Sequence, residues 1–332
     1  MRISTNSIVR NYRTHLGRST ARLNEARERT LTERKFVRAS QDPAGANKAF
    51  QLRREYLKNE DYIHNLGVAQ GQLAATESSL MQINDMGKQV KSDILRALNG
   101  ATSEEGRTAI AQNLEETAES IVMSMNARYG DKFLFGGAST KEAPFKLENG
   151  QLLYRGIDVN TKDPDEIAQL KAMSEETNYL DLGFGLKKDA SGNIIKGTAY
   201  NLSNPGIEAL GYGVNSEGVS QNLVVALVDM AAELRKSDFD TEKLQKMSNQ
   251  FDKNMSDNLD KITQLGSTTK FLEDTETRLT DNNLNLNEKI AGVENIDLAE
   301  AITEFSWAEY AYNAALKVGN SILSQSFIDF MR

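Results

Sequence analysis

Two histidines, His15 and His64, are the side chains best suited to move a proton near neutral pH. Neither has a companion at metal-ligand spacing. Both sit in amphipathic stretches, where a surface or boundary position accounts for them. There is no cysteine, which excludes disulfides, thiolate metal sites and cysteine nucleophiles. Asp281-x-Asn283-x-Asn285 alternates oxygen donors as a calcium loop does. However, Leu286 stands where the turn glycine is needed and Glu288 comes too early for the bidentate ligand. A solvated helix face is the simpler reading. Adjacent acids such as Glu104-Glu105 and Glu175-Glu176 are expected by chance among 47 Asp and Glu and carry no signal for acid–base work. Gly136-Gly137 and Gly183-Phe184-Gly185 could cradle a phosphate, but they are more simply β-turn residues. The glycine-rich nucleotide loops, the zinc-protease helix and the nucleophile elbow are all missing. The residues therefore point to no catalytic, cofactor-binding or metal-binding site, and the chain does not read as an enzyme.

Glycine and proline show how the chain is divided. Of 23 glycines, 13 lie from Gly130 to Gly218, with three of the four prolines. Outside that stretch turn formers are isolated and the pattern is helical. Leu66, Leu73 and Leu80 are spaced by sevens, with Ile94 further on, and Ile83 and Val90 form a second apolar line. Leu265, Leu272, Leu279, Leu286 and Val293 continue the same spacing near the other end. Such spacing buries a narrow seam between long helices. The second line beside it is polar: Thr269, Glu276 and Asn283. Helices are expected over about 69–98, 103–129 and 241–292. The middle holds strand-like pieces at Lys132–Phe135, Leu152–Tyr154 and Ile194-Ile195, and Asp163-Pro164-Asp165-Glu166 starts one short helix. The expected fold is mainly α: an elongated bundle of long antiparallel heptad-patterned helices from both termini, with an inserted small β-rich (α+β) domain. The corresponding parts are 1–132, 133–220 and 221–332.

Charge is unevenly spread. Residues 1–58 hold 14 Lys and Arg against 5 Asp and Glu, while residues 294–332 hold 6 acids against 2 bases. A basic segment can bind nucleic acid or lipid. Here the bases alternate with Glu25, Glu28 and Glu33 and no aromatic stacking platform accompanies them. Packing beside the acidic C-terminal part is the favoured reading, with no nucleic-acid partner. No run of 18 apolar residues exists, so no membrane insertion is expected. Arg10 and Arg13 fall where the apolar core of a secretory signal would lie, so no Sec-type signal is expected.

Both ends carry apolar stripes: Val9, Tyr12, Leu16 and Leu23 at the front, and Leu298, Ile302, Phe305, Tyr312, Leu316 and Leu323 at the back. Little else in the sequence would cover them. They read as an assembly seam, ordered when partners arrive. Between the first stripe and the second helix, Asp42-Pro43 suits a turn that ends one helix and starts the next.

Particular residues then resemble the bacterial flagellin family. Met1-Arg2-Ile3-Ser4-Thr5-Asn6 resembles its opening. Arg38-Ala39-Ser40-Gln41-Asp42-Pro43-Ala44-Gly45-Ala46 resembles its R-x-S-D-D-P-A-G turn, which places Arg38 with Asp42 and Pro43 in a structural turn. Asn126-Ala127-Arg128-Tyr129-Gly130, Phe133-Leu134-Phe135-Gly136-Gly137, Pro144-Phe145 and Leu182-Gly183-Phe184-Gly185 are similar to the branch that joins hook to filament. So are Tyr312-Asn313-Ala314-Ala315-Leu316 and Ser324-Gln325-Ser326-Phe327-Ile328-Asp329-Phe330. The resemblance implies a structural subunit of the bacterial flagellum at the hook–filament junction, with a divergent flagellin as the alternative. A cytosolic coiled-coil adaptor is a reading from another class. The flagellin resemblance further implies export through the flagellar type III channel without a cleaved signal, and an extracellular place in the flagellum. The terminal helices would pair in a hollow tube and the middle domain would project outward. The implied partners are further copies of itself, hook-associated protein 1, flagellin and a cytoplasmic export chaperone. It implies no cofactor.

Overall fold

Helices α1 (Thr5–Thr32), α2 (Pro43–Leu98) and α3 (Glu104–Met125) open the chain, and α6 (Leu223–Leu234), α7 (Thr241–Glu294) and α8 (Leu298–Phe330) close it. Between them lie β1 (Arg128–Tyr129), β2 (Lys132–Phe133), β3 (Phe145–Glu148), β4 (Gln151–Tyr154), β5 (Ile157–Asp158), α4 (Pro164–Ser174), β6 (Tyr179–Asp181), β7 (Ala199–Asn201) and the short α5 (Gly206–Leu210). The structure is a computed structural model that describes residues 5–99, 102–148, 150–181, 187–189, 192, 194 and 199–330. For residues 5, 6 and 322–330 it describes the backbone alone. The chain is thus mainly α, with long helices toward both ends and a small antiparallel-sheet insert. Gly183-Phe184-Gly185 and, from the expected Gly192–Ile195 hairpin, Asn193 and Ile195 lie outside the described residues.

The chain divides into two units. One is Asp61–Leu279. Its core takes Leu66, Leu73, Leu80, Ile83, Val90 and Ile94 from α2, Leu114 and Ile121 from α3, and Leu227 and Met230 from α6. From α7 it takes Phe251, Leu265, Leu272 and Leu279. The seven-residue spacing places each Leu over the same face of its helix, so one stripe stays buried along the unit. The polar second line is half-buried and finds polar partners: Gln70 donates to Glu276 Oε2 at 3.0 Å. Pairs such as Gln70–Glu276 and Lys91–Asp252 (2.9 Å) fix α2 and α7 as antiparallel here.

Ser103 starts α3 by accepting a hydrogen bond from the Gly106 N–H. The helix ends at Met125, short of the expected Tyr129. Arg128 and Tyr129 instead pair with Phe133 and Lys132 across Gly130, which takes φ 59°, and the Leu134 N–H bonds to the Ala127 carbonyl. Strands β3, β4 and β5 form a three-stranded antiparallel sheet with Phe145 opposite Tyr154. Their rings lie 4.8 Å apart, and the buried Tyr154 hydroxyl donates to the Phe135 carbonyl. Strands β6 and β7 form a separate pair. Asp163 caps α4 behind Pro164. Among its described residues the middle holds two helices, α4 and α5, where the sequence suggested one, because Pro205-Gly206 opens a five-residue turn packed against Phe135 and Phe145.

The other unit is Met1–Glu60 with Thr280–Arg332. It contains α1, α8, the beginning of α2 and the end of α7. Asn59 donates to Asn283 Oδ1 at 2.7 Å and Arg53 bonds Glu294 at 2.6 Å. Helix α2 begins at Pro43, well before the expected Ala69. The buried positions of its first turns, Ala46, Ala49 and Asn59, are small or polar and escape a count of leucines.

Candidate assembly surface

The turn between α1 and α2 is fixed by side chains that take up free backbone N–H groups. Gln41 Oε1 accepts from the N–H groups of Val37 (2.7 Å) and Arg38 (2.9 Å). Asp42 Oδ1 accepts from the Gly45 N–H at 2.9 Å, and Pro43 occupies the first helical position, where its missing N–H costs nothing. Arg38 reaches toward Glu28 at 3.9 Å. A Cβ on Gly45 would overlap the Asp42 carboxylate and stand 2.9 Å from the Phe36 ring, so any larger residue here has to displace side chains. On the other strand of the unit, Asp297 Oδ1 accepts from the Ala299 N–H at 2.8 Å and starts α8. The two connections are tied together: the Lys35 N–H bonds to the Glu294 carbonyl at 2.7 Å and the Ile296 N–H to the Glu33 carbonyl at 3.1 Å.

Helices α1 and α8 pack antiparallel. Arg29 faces Glu304 near one end, and the Tyr12 hydroxyl lies against Gly319 near the other. The sequence offered little to cover either stripe beyond the opposite end of the chain; in the structure each covers part of the other. Val9, Tyr12, Leu16 and Leu23 are half-buried, as are Phe305 and Tyr312. Leu298, Ile302 and Leu316 do not join them and stay 44%, 49% and 41% exposed. The side chain of Leu323 lies outside the described residues. The expected back stripe is therefore two lines: Phe305 and Tyr312 turn toward α1, and the other three turn to solvent.

On the opposite flank a groove of about 510 Å³ runs between the helices, lined by His15, Arg18, Arg22 and Arg29 of α1 and by Glu304 and Trp307 of α8, among others. Arg29 is held by Glu25 at 2.8 Å and approaches Glu304 at 3.8 Å. That is the one ion pair between α1 and α8 among the described residues. Arg18 and Arg22 are exposed and have no ion pair there. Packing beside the acidic C-terminal part thus neutralises one arginine and leaves others. The sequence offered the i, i+4 and i+11 spacing of Arg18, Arg22 and Arg29 as a signal, but not the identity of the helix beside them. Among the described residues no group of three or more His, Asp or Glu is placed to hold a metal, and no helix is long and apolar enough to cross a membrane.

Comparison with known proteins bears on this arrangement. The family described as the bacterial flagellin N-terminal helical region matches residues 3–140. Flagellar hook-associated protein 3 of Escherichia coli (strain K12) is 26% identical over 152 residues, 46% of this chain and 48% of that protein. The chain spans about half the length of the curated relatives it matches. A solved structure assigned as a flagellar hook-associated protein from Vibrio parahaemolyticus has a TM-score of 0.61 at 19% identity, over 77% of this chain and 100% of that one. The flagellar junction protein FlgL from Legionella pneumophila has 0.53 at 11%, over 76% and 100%. At these identities the solved structures establish a shared fold. Residues 3–140 thus match the bacterial flagellin N-terminal helical region, and about half of the chain is similar to flagellar hook-associated protein 3.

Proposed function

We propose that this chain is a structural subunit of the bacterial flagellum, forming the junction that connects hook-associated protein 1 to the flagellin filament. The observation that carries the reading is the α1/α8 pair. In a fold shared with hook-associated proteins, it leaves Leu298, Ile302 and Leu316 exposed along one flank. Three large aliphatic side chains in line are costly to leave in water and mark a contact surface. The seam of Val9, Tyr12, Leu16, Leu23, Phe305 and Tyr312 would hold the terminal helices as one unit, and the Arg38–Asp42–Pro43 turn would set where α2 departs. In this reading copies associate into a tube through their terminal parts (1–132 and 221–332), and the part from 133 to 220 projects outward. Before assembly the chain would be held by a cytoplasmic export chaperone and would leave through the flagellar export channel. The role is architectural, not catalytic.

Immunogold labelling of intact flagella tests the placement. Label confined to the hook–filament boundary is the expected result. Label along the whole filament would replace the reading with that of a filament subunit. Leu316→Asp adds a residue-level check: because Leu316 is exposed in the single chain, the variant should keep its helicity while filaments fail to attach.

A further inference from the structure

The α1/α8 pair has two unlike flanks. On α8, Glu304, Trp307 and Ala311 line the basic groove. At ~100° per residue, Glu309 lies about 140–160° round the helix from all three. By the same geometry Leu298, Ile302 and Leu316 fall within about 20° of Glu309. The flank away from the groove is therefore an apolar line with one carboxylate at its centre, and these three aliphatic side chains are all exposed. The groove offers the complement. Arg18 and Arg22 lack an ion pair among the described residues, and beside them stand the 69% exposed ring of Trp307 and the small side chains of Ala308 and Ala311. Glu309, likewise exposed, has no ion pair among the described residues.

We propose that copies of this chain join head to tail: the groove of one copy takes the Leu298–Ile302–Glu309–Leu316 flank of the next, with Glu309 set between Arg18 and Arg22. The proposal rests on the self-association reading above and names its contact. A groove that meets a different surface makes a heterologous contact, which propagates into rings or open helical arrays and does not stop at a dimer. The aliphatic line against Trp307 supplies the buried area, and the carboxylate between two guanidiniums fixes the register and steers approach.

The test uses the full chain in sedimentation at low salt, with two charge reversals. R18E/R22E puts carboxylates in the groove, and E309R puts a guanidinium on the flank. Each alone should associate about tenfold more weakly than the parent, or worse, because like charges then face each other. An equimolar mixture of the two should recover, since each variant's groove meets the other's flank with opposite sign. The triple variant R18E/R22E/E309R should recover by itself, and that recovery also shows that the reversals leave the fold intact. Reversed variants that associate as well as the parent, or a mixture and triple variant that both stay weak, would overturn the contact and leave the groove to some other anionic partner. A parent chain that stays monomeric throughout would remove the self-association reading as well, a result distinct from either of those.

Discussion

Asp42, Pro43 and Gly45 form the turn through three separate physical demands. Asp42 satisfies a free N–H of α2, Pro43 supplies a fixed φ, and Gly45 makes room for the Asp42 carboxylate and the Phe36 ring. Asp42→Ala should lower stability by about 1 kcal/mol, the usual loss of a helix cap. Gly45→Ala should cost more, roughly 1–3 kcal/mol, because the added methyl has to displace both neighbours. Thermal unfolding of the two variants side by side decides it; a Gly45→Ala loss smaller than that of Asp42→Ala would mean the carboxylate swings away freely. The cap was legible in the sequence, since Asp-Pro has its own chemistry. The role of Gly45 was not, because the Phe36 ring beside it is a tertiary contact. Asn258 shows the reverse difficulty. It continues the Leu265–Leu272–Leu279 line one heptad back, and is buried with neither amide atom bonded to a protein group among the described residues. A count of apolar sevens stops at Leu265 for want of a hydrophobic residue. A lone buried amide in a seam costs stability while restricting which registers can pair. Asn258→Leu should therefore raise stability by about 1–2 kcal/mol, read as a higher denaturant midpoint at unchanged slope. A lower midpoint would show that the amide has a bound water it cannot lose.

At the scale of elements, the corner between α6 and α7 is held by an ion pair that periodicity could not announce. Glu233 is buried at the end of α6 and takes Lys236 at 2.8 Å and Lys243 at 2.7 Å on one carboxylate oxygen. Burial alone would push its pKa up, but the hydrogen bonds and charges of the two lysines outweigh it and hold the carboxyl below its ordinary 4.5. A carboxyl with a depressed folded pKa adds stability above its unfolded value and loses it as pH falls through the folded one. Glu233→Gln should accordingly be less stable than the parent at pH 7 by about 1 kcal/mol, both lysines being half-exposed. The difference should close as pH falls below 4.5. Paired denaturation curves across that range check the sign; a gap that widens toward acid would mean burial dominates. Nearby Asp229 shifts the opposite way, raised by burial, so the parent's own profile mixes the two and the difference between variants is what isolates Glu233. The long helices were legible because Leu at every seventh position leaves a repeating trace. The edges of α2 and α3 were not, because they depend on small residues such as Ala46 and Ala49 and on the β1–β2 pairing.

The two units of the whole molecule differ in how much apolar surface each buries within itself. The large cluster that runs from Leu66 to Leu279 lies wholly inside the Asp61–Leu279 unit, with phenylalanines, leucines and isoleucines fully enclosed. Each such side chain contributes on the order of 1.5–3 kcal/mol when removed from water. The unit formed by the two ends buries Ala46, Ala49, Ala301 and Leu286 among its described residues, mostly single methyl groups, and its larger apolar side chains are half-buried or exposed. A helix with so shallow a core gains little from tertiary packing, and helix formation by itself is marginal in water. The sequence expected the ends to order on assembly. The structure pairs α1 with α8 but gives the pair no deep core among its described residues, and hydrogen exchange tests the expectation. In the free chain, hydrogen exchange should be slow through the buried parts of α2, α3, α6 and α7 within residues 61–279, and faster by orders of magnitude in α1 and α8. A fragment of residues 61–279 should unfold cooperatively on its own, since none of its core residues is left behind. Protection in α1 and α8 equal to that in α3 would show that the half-buried seam suffices without partners, and ordering of the ends would then not be what assembly supplies.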